Sequence, residues 1–108
     1  IVLLIHHITA TLNTMDISSG DFIWNAQKEL INIQKHGVDF ATAARAFLDP
    51  KRRIYNDSRH SLVEPRHFCF GKVDDRVMTV RYVYRQGKIR IFGAGYWRKG
   101  GAYYEKKD

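Results

Sequence analysis

Cysteine is nearly absent: Cys69 stands alone, so no disulfide can form within the chain. That excludes a small disulfide-stapled scaffold and points to a reducing, cytoplasmic setting. A lone thiol in an apolar run packs as a small hydrophobe, and nothing beside Cys69 marks it as a nucleophile. Proline is scarce too, with only Pro50 and Pro65, and there is no linker, low-complexity tract or internal repeat. Phosphate-cradling glycine motifs are missing; "GAGYWRKGG" follows an apolar run but lacks P-loop spacing. No nucleophile elbow accompanies the serines. His36, His60 and His67 show no metal-site spacing, and His6-His7 has no second ligand pair, so neither metal nor cofactor is expected. The apolar start "IVLLIHHITATLNT" is far too short to span a bilayer and has no basic head, so no membrane partner is expected.

What is present is a globular composition with an uneven charge. Apolar residues make up 44% of the chain, too many for a disordered segment, and 108 residues suit one domain. Residues 1–50 hold three cations against five carboxylates, a balance of −2, whereas residues 51–108 hold fifteen against six, a balance of +9. A basic second half suggests a surface facing a polyanion; the plainer reading is a solubilising face. Residues 1–14 are expected to be an N-terminal extension, with a single domain over 15–108 that opens at "MDISSGDFIW".

Two helices are predicted first. Asn25 can cap residues 26–36, whose Ala26, Leu30 and Ile33 recur at i, i+4, i+7, and Gly37 is a good stop. Asp39 can cap 40–48, where Phe40, Ala43, Ala44 and Phe47 form a stripe, and Pro50 prevents continuation. Strands are predicted over 52–56, 66–73, 76–85 and 88–94, and the tail near 97–107 as a short helix or irregular segment weakened by Gly100 and Gly101. Asp74-Asp75 and Gln86-Gly87 are two-residue breaks, which force antiparallel hairpins. The expected fold is α+β: two N-terminal helices packed on a three- to four-stranded antiparallel sheet.

Hairpin register separates two faces. With Gln86-Gly87 as the loop, Arg85 faces Lys88, Val83 faces Arg90 and Arg81 faces Phe92. One face then holds Met78, Val80, Tyr82, Tyr84, Ile89 and Ile91 with His67, Cys69 and Val73, a bed for the helices. The other interleaves Arg66, Lys72, Arg81, Arg85, Lys88 and Arg90 with Phe68, Phe70 and Phe92. So many like charges need counter-charge. Glu64 can serve Arg85, and an RNA backbone can serve the rest while bases stack on the rings. Alternatively, the arginine stems simply cover an exposed sheet face.

Leading into the second predicted strand stands "DSRHSLVEPRHF", residues 57–68. Cleaving RNA without a metal needs a base for the 2′-OH, cations for the dianionic phosphorane and an acid for the leaving oxygen. His60 suits either proton role, with Glu64 as base or orienting partner. Arg66, Arg81 and Arg85 can hold phosphate oxygens through paired N–H donors, supported by Arg59, Lys88 and Arg90. Trp97 or Tyr96 can stack on a base, and Lys35, His36 and Arg98 can reach substrate. The plainer reading of His60 is a turn histidine bonded to a backbone carbonyl.

The ordered set "FIWNAQKELINIQKHGVDF", "FLDP", "DSRH", "EPRHF" and "KIRIFGAGYWRKGGAYYE" resembles the BrnT toxin family over residues 21–105. The resemblance implies a RelE-like toxin of a bacterial type II toxin–antitoxin pair, a ribonuclease that arrests translation. It implies a BrnA-type antitoxin as partner, and contact with DNA only indirectly, through that antitoxin. One departure concerns the end of the last strand. Many relatives read Ser-Ala-Arg-Arg where this chain has Gly93-Ala94-Gly95-Tyr96, so an arginine is missing at Gly95, with Arg98 or Lys99 as candidate replacements. Three readings stand: a metal-independent endoribonuclease, a non-catalytic module binding nucleic acid or antitoxin, and a structural subunit of a repressor complex.

Overall fold

A computed structural model describes residues 11–106. After a helical stretch at 11–14, the chain forms a short hairpin, β1 (Asp16–Ser19) and β2 (Phe22–Asn25). Then come α1 (Ala26–His36), α2 (Phe40–Ala44) and a 3-10 turn (Arg45–Leu48). β3 (Arg53–Asn56) follows, then a second 3-10 turn (Ser58–His60), β4 (Arg66–Val73), β5 (Arg76–Arg85), β6 (Lys88–Gly95) and α3 (Arg98–Glu105). The histidine pair at 6–7 and most of the expected extension lie outside the described residues.

The expected fold needs correction. The sheet has six strands, in the order β1-β2-β6-β5-β4-β3, and it is mixed. β2 runs parallel to β6, pairing Phe22 with Ile89 and Trp24 with Ile91, while the other neighbours are antiparallel. A two-helix, three- to four-stranded antiparallel RelE-like arrangement is therefore not what forms. β1 and β2 are four residues each. That is too few for alternation to register as a pattern, and parallel pairing to a strand more than sixty residues later leaves no local mark. The second helix is also shorter than expected, changing to 3-10 geometry at Arg45. The tail is helical despite its two glycines, because Gly100 lets α3 lie on β5. A Cβ at Gly100 would come within 2.2 Å of Thr79 Oγ1.

Local signals worked where geometry is local. Asn25 accepts from Lys28 N–H (2.9 Å) and Asp39 from Thr42 N–H (3.0 Å), satisfying free helix-end donors. Gly37 ends α1 at φ 69°. Asp74, Asp75, Gln86 and Gly87 all have positive φ, the twist that tight two-residue hairpins need. In the β5–β6 pair Arg85 faces Lys88 and Val83 faces Arg90, but a bulge between Arg81 and Tyr82 sets Arg81 opposite Gly93 rather than Phe92.

The apolar face carries the core. Cys69, Val73, Met78, Val80, Tyr82, Ile91 and Ala94 pack there with Trp24, Val38, Phe40, Ala43 and Ala46. Phe47 meets Tyr82 edge-on at 5.1 Å and Phe22 at 5.3 Å. Each such large side chain contributes about 1.5–3 kcal/mol on burial. Burial also pushes the Cys69 thiol up to about 12, which keeps it protonated and inert.

The two helices do not share that face. Leu30 and Ile33 remain 45% and 40% exposed, whereas Asn32 is buried. Asn32 works as a substitute strand: its Nδ2 donates to Ala94 O (2.9 Å) and Val38 O (2.9 Å), and Ala94 N donates to its Oδ1 (3.1 Å). The β2–β6 pairing reaches only Trp24–Ile91, so the Asn32 amide satisfies the β6 backbone beyond it. α1 is thereby moored beside the opposite, cationic face. α3 covers part of that same face, with Tyr103 parallel to Phe70 at 5.2 Å.

Candidate functional site

Two cavities open on the cationic face, and Arg81 and Trp97 line both. The first, of about 660 Å³, is walled by Lys28, Lys35 and His36 of α1 and floored by Arg66, Arg81, Arg85, Arg90 and Phe92 of the sheet, with Glu64 at its rim. The bulge explains the floor. It leaves Phe92 and Gly93 both on the arginine side, so the Phe92 ring lies under two guanidiniums. Arg66 Cζ is 5.1 Å and Arg81 Cζ 5.0 Å from its centroid.

The four arginines are not equivalent. Arg85 is held by Glu64, with Nη2 to Oε1 at 2.5 Å and Nε to Oε2 at 3.1 Å. That bond from Arg85 keeps the Glu64 carboxyl below its usual range. Arg90 donates to Asp16 through Nη1 (3.1 Å) and Nη2 (2.7 Å), which lowers Asp16 in the same way. Arg66 and Arg81 have no carboxylate partner among the described residues. Arg81 Nε is buried without a partner. Two guanidiniums are thus held over one ring with no carboxylate on them, a geometry suited to receiving an anion.

The second cavity, of about 670 Å³, is lined by Asp57, Arg59, His60, Phe68, Phe70, Lys99 and Tyr103 among others. His60 does not meet Glu64. It meets Asp57, with Nδ1 2.9 Å from Oδ2 and 3.2 Å from Oδ1. Asp57 is 7% exposed and the His60 side chain 57%, so a fixed carboxylate holds an accessible ring by its Nδ1 edge. The turn itself is tied to β4: Asp57 N–H donates to Arg66 O (2.8 Å), and Ser61 Oγ accepts from Arg66 N–H (3.0 Å).

The fold thus gathers Lys35, His36, Glu64, Arg66, Arg81, Arg85, Arg90 and Trp97 around one cavity, and Arg59 and His60 around its neighbour. Lys88 and Arg98 line neither; Lys88 donates instead to Ser18 Oγ at 2.9 Å. The sequence reading missed Asp57, Lys28 and Asp16. Asp57 had a signal in its i, i+3 spacing to His60; Asp16 had none, since its strand reaches Arg90 from the other end of the chain. Among the described residues no three His, Cys, Asp or Glu side chains gather as a metal site would, and no helix is long and apolar enough to cross a membrane.

A family model described as "Ribonuclease toxin, BrnT, of type II toxin-antitoxin system" matches residues 24–100. The chain belongs to the BrnT family. No curated protein matches it. BrnT membership makes this a ribonuclease toxin of a type II system, for which an antitoxin is the partner. The matched stretch includes every arginine of the groove and both His60 and Asp57. At Gly95 the Trp97 indole fills the space: a Cβ there would fall 2.7 Å from Trp97 Cε2. Trp97 in turn takes the edge of His36 at 5.0 Å.

Proposed function

We propose that this BrnT protein is a metal-independent endoribonuclease that inhibits translation by cutting RNA within the chain. The observation that carries the reading is the unpaired Arg66–Arg81 couple over Phe92, bordered by His60 on its Asp57 support. Arg81 and Arg66 would hold the scissile phosphate and stabilise the extra negative charge of the phosphorane. His60 would carry a proton through its free Nε2. As base it takes the 2′-OH proton; the 2′-oxygen bonds to phosphorus as the bond from phosphorus to the 5′-oxygen breaks, and the proton held by His60 passes, through water, to that oxygen, leaving a 2′,3′-cyclic phosphate and a 5′-OH end. Positive charge that a metal would otherwise supply comes from guanidiniums. Lys35, His36 and Arg59 would contact flanking nucleotides, and Arg85 and Arg90 would set the field of the groove while paired with their carboxylates.

A BrnA-type antitoxin would neutralise this surface, with DNA contacted only through the antitoxin. The test is cleavage of a defined RNA by purified protein, with and without chelator, beside Arg81→Ala and His60→Ala. Cleavage that survives chelation and falls by about 10²–10⁴-fold in His60→Ala fits the reading. Loss on chelation overturns the metal-free mechanism. Tight RNA binding with no cleavage by the wild type means a binding module instead.

A further inference from the structure

We infer that the second cavity is a nucleobase subsite for single-stranded RNA, placed next to the phosphate-binding arginines. This rests on the ribonuclease reading and adds to it where one base goes. Phe68 lies nearly parallel to Phe70 (19°, centroids 5.7 Å), and Phe70 parallel to Tyr103 (8°, 5.2 Å). Phe70 itself is buried, so the outer rings, Phe68 and Tyr103, are the ones that can offer a face to another flat ring, and stacking of that kind tolerates any base. Docking α3 does not account for all of it. Gly100 already seats the helix on Thr79 and Phe70, yet Tyr103 is left 44% exposed at the cavity mouth.

Polar chemistry in the cavity matches a nucleotide. Asn56, Ser58 and Arg59 line it beside the rings, whereas the Oγ1 of Thr79 is buried against Gly100 and closed to a ligand. Arg59 and Lys99 add positive charge, and the one carboxylate, Asp57, is engaged by His60. An acidic peptide would use those cations but has no need of stacked rings. The volume, about 670 Å³, falls within the roughly 300–1,000 Å³ common for small-ligand sites. Because Arg81 and Trp97 line both cavities, a strand whose phosphate sits on Arg81 has its next base at the door of this one.

The experiment uses an uncleavable 2′-O-methyl oligonucleotide, so that binding is read apart from cleavage. One residue at a time is replaced by 2-aminopurine, then by an abasic unit. The expected result is a single position whose fluorescence is quenched on binding and whose abasic replacement weakens affinity by about 5- to 100-fold. Phe68→Leu and the more exposed Tyr103→Ser, each checked by thermal melting, should lose the same factor on the intact oligonucleotide and become indifferent to the abasic unit. The inference is overturned if no position responds, or if both variants keep the full abasic penalty. It is equally overturned if they weaken antitoxin binding and leave RNA binding unchanged. A wild type that binds in this way but does not cleave ordinary RNA would sink the ribonuclease reading and leave the subsite standing.

Discussion

Glu64 binds Arg85, through contacts of 2.5 to 3.2 Å, and so leaves His60 to a different carboxylate. The two acidic residues near the histidine therefore have separate roles: Asp57 orients a ring, and Glu64 neutralises a guanidinium. Glu64→Gln should keep cleavage and tighten RNA, because Arg85 is released to phosphate. For single strands each added contact steepens the salt dependence by about 0.7 in log–log slope. Asp57→Asn should do the opposite, lowering kcat about tenfold or more with little change in KM, since the substrate contacts stay. Asp57→Glu should recover part of the loss. A Glu64→Gln protein that binds normally but no longer cleaves would return Glu64 to the chemistry.

Acid should loosen the fold in a way those ion pairs specify. Arg85 holds the Glu64 carboxyl below its usual range, and Arg90 does so for Asp16. A carboxyl with a lowered folded pKa stabilises the protein above its unfolded value, near 4 for both types, and that contribution disappears as pH falls through the folded value. Both pairs are solvent-exposed, so the effect is modest and weakened by salt. Thermal melting between pH 5 and pH 2.5 should show Tm falling with acid. The Asp16→Asn/Glu64→Gln variant should start lower and fall less steeply. Parallel curves would mean the pairs contribute nothing to the pH dependence.

How far the sequence carried the reading depended on the distance over which each signal acts. Caps at Asn25 and Asp39, the stop at Gly37 and the two tight hairpins are local, and each was legible. Parity along β4, β5 and β6 put Arg66, Arg81, Arg85 and Arg90 on one face, because alternation propagates along a paired strand. The β1–β2 hairpin and its parallel junction with β6 were not legible, being short and remote. The bulge at Arg81/Tyr82 moved Phe92 by half a step, which no residue type announces. The apolar spacing in α1 was misleading: Leu30 and Ile33 fit a core stripe, but the helix is placed by the polar Asn32.

That placement can be tested through Asn32. Replacing it by alanine removes two donated bonds and one accepted bond, and leaves Ala94 N–H and the Val38 and Ala94 carbonyls short of partners in a buried place. Each group left unsatisfied costs about 1–3 kcal/mol, with the total below the simple sum because α1 can shift and water can enter. Urea unfolding should show a lower midpoint. RNA binding should fall as well, since α1 carries Lys28, Lys35 and His36 into the groove wall. Unchanged stability would show that α1 is held by other contacts.

Gly95 offers the sharpest test of how the wall shared by the two cavities is packed. Its missing Cβ makes room for Trp97, whose Cε2 and Cζ2 would both lie 2.7 Å from any side chain built there. Introducing arginine with Gly95→Arg should push the indole away, red-shift its fluorescence, break its contact with His36 and lower Tm. Trp97→Ala alone should cost packing and perturb the wall shared by both cavities. Made together, the two changes relieve the clash, so the double variant should be more stable than the sum of the single losses predicts. Coupling between contacting residues typically runs about 0.5–3 kcal/mol. Additive losses would mean that Trp97 does not occupy the space beside Gly95, and that the two positions act independently.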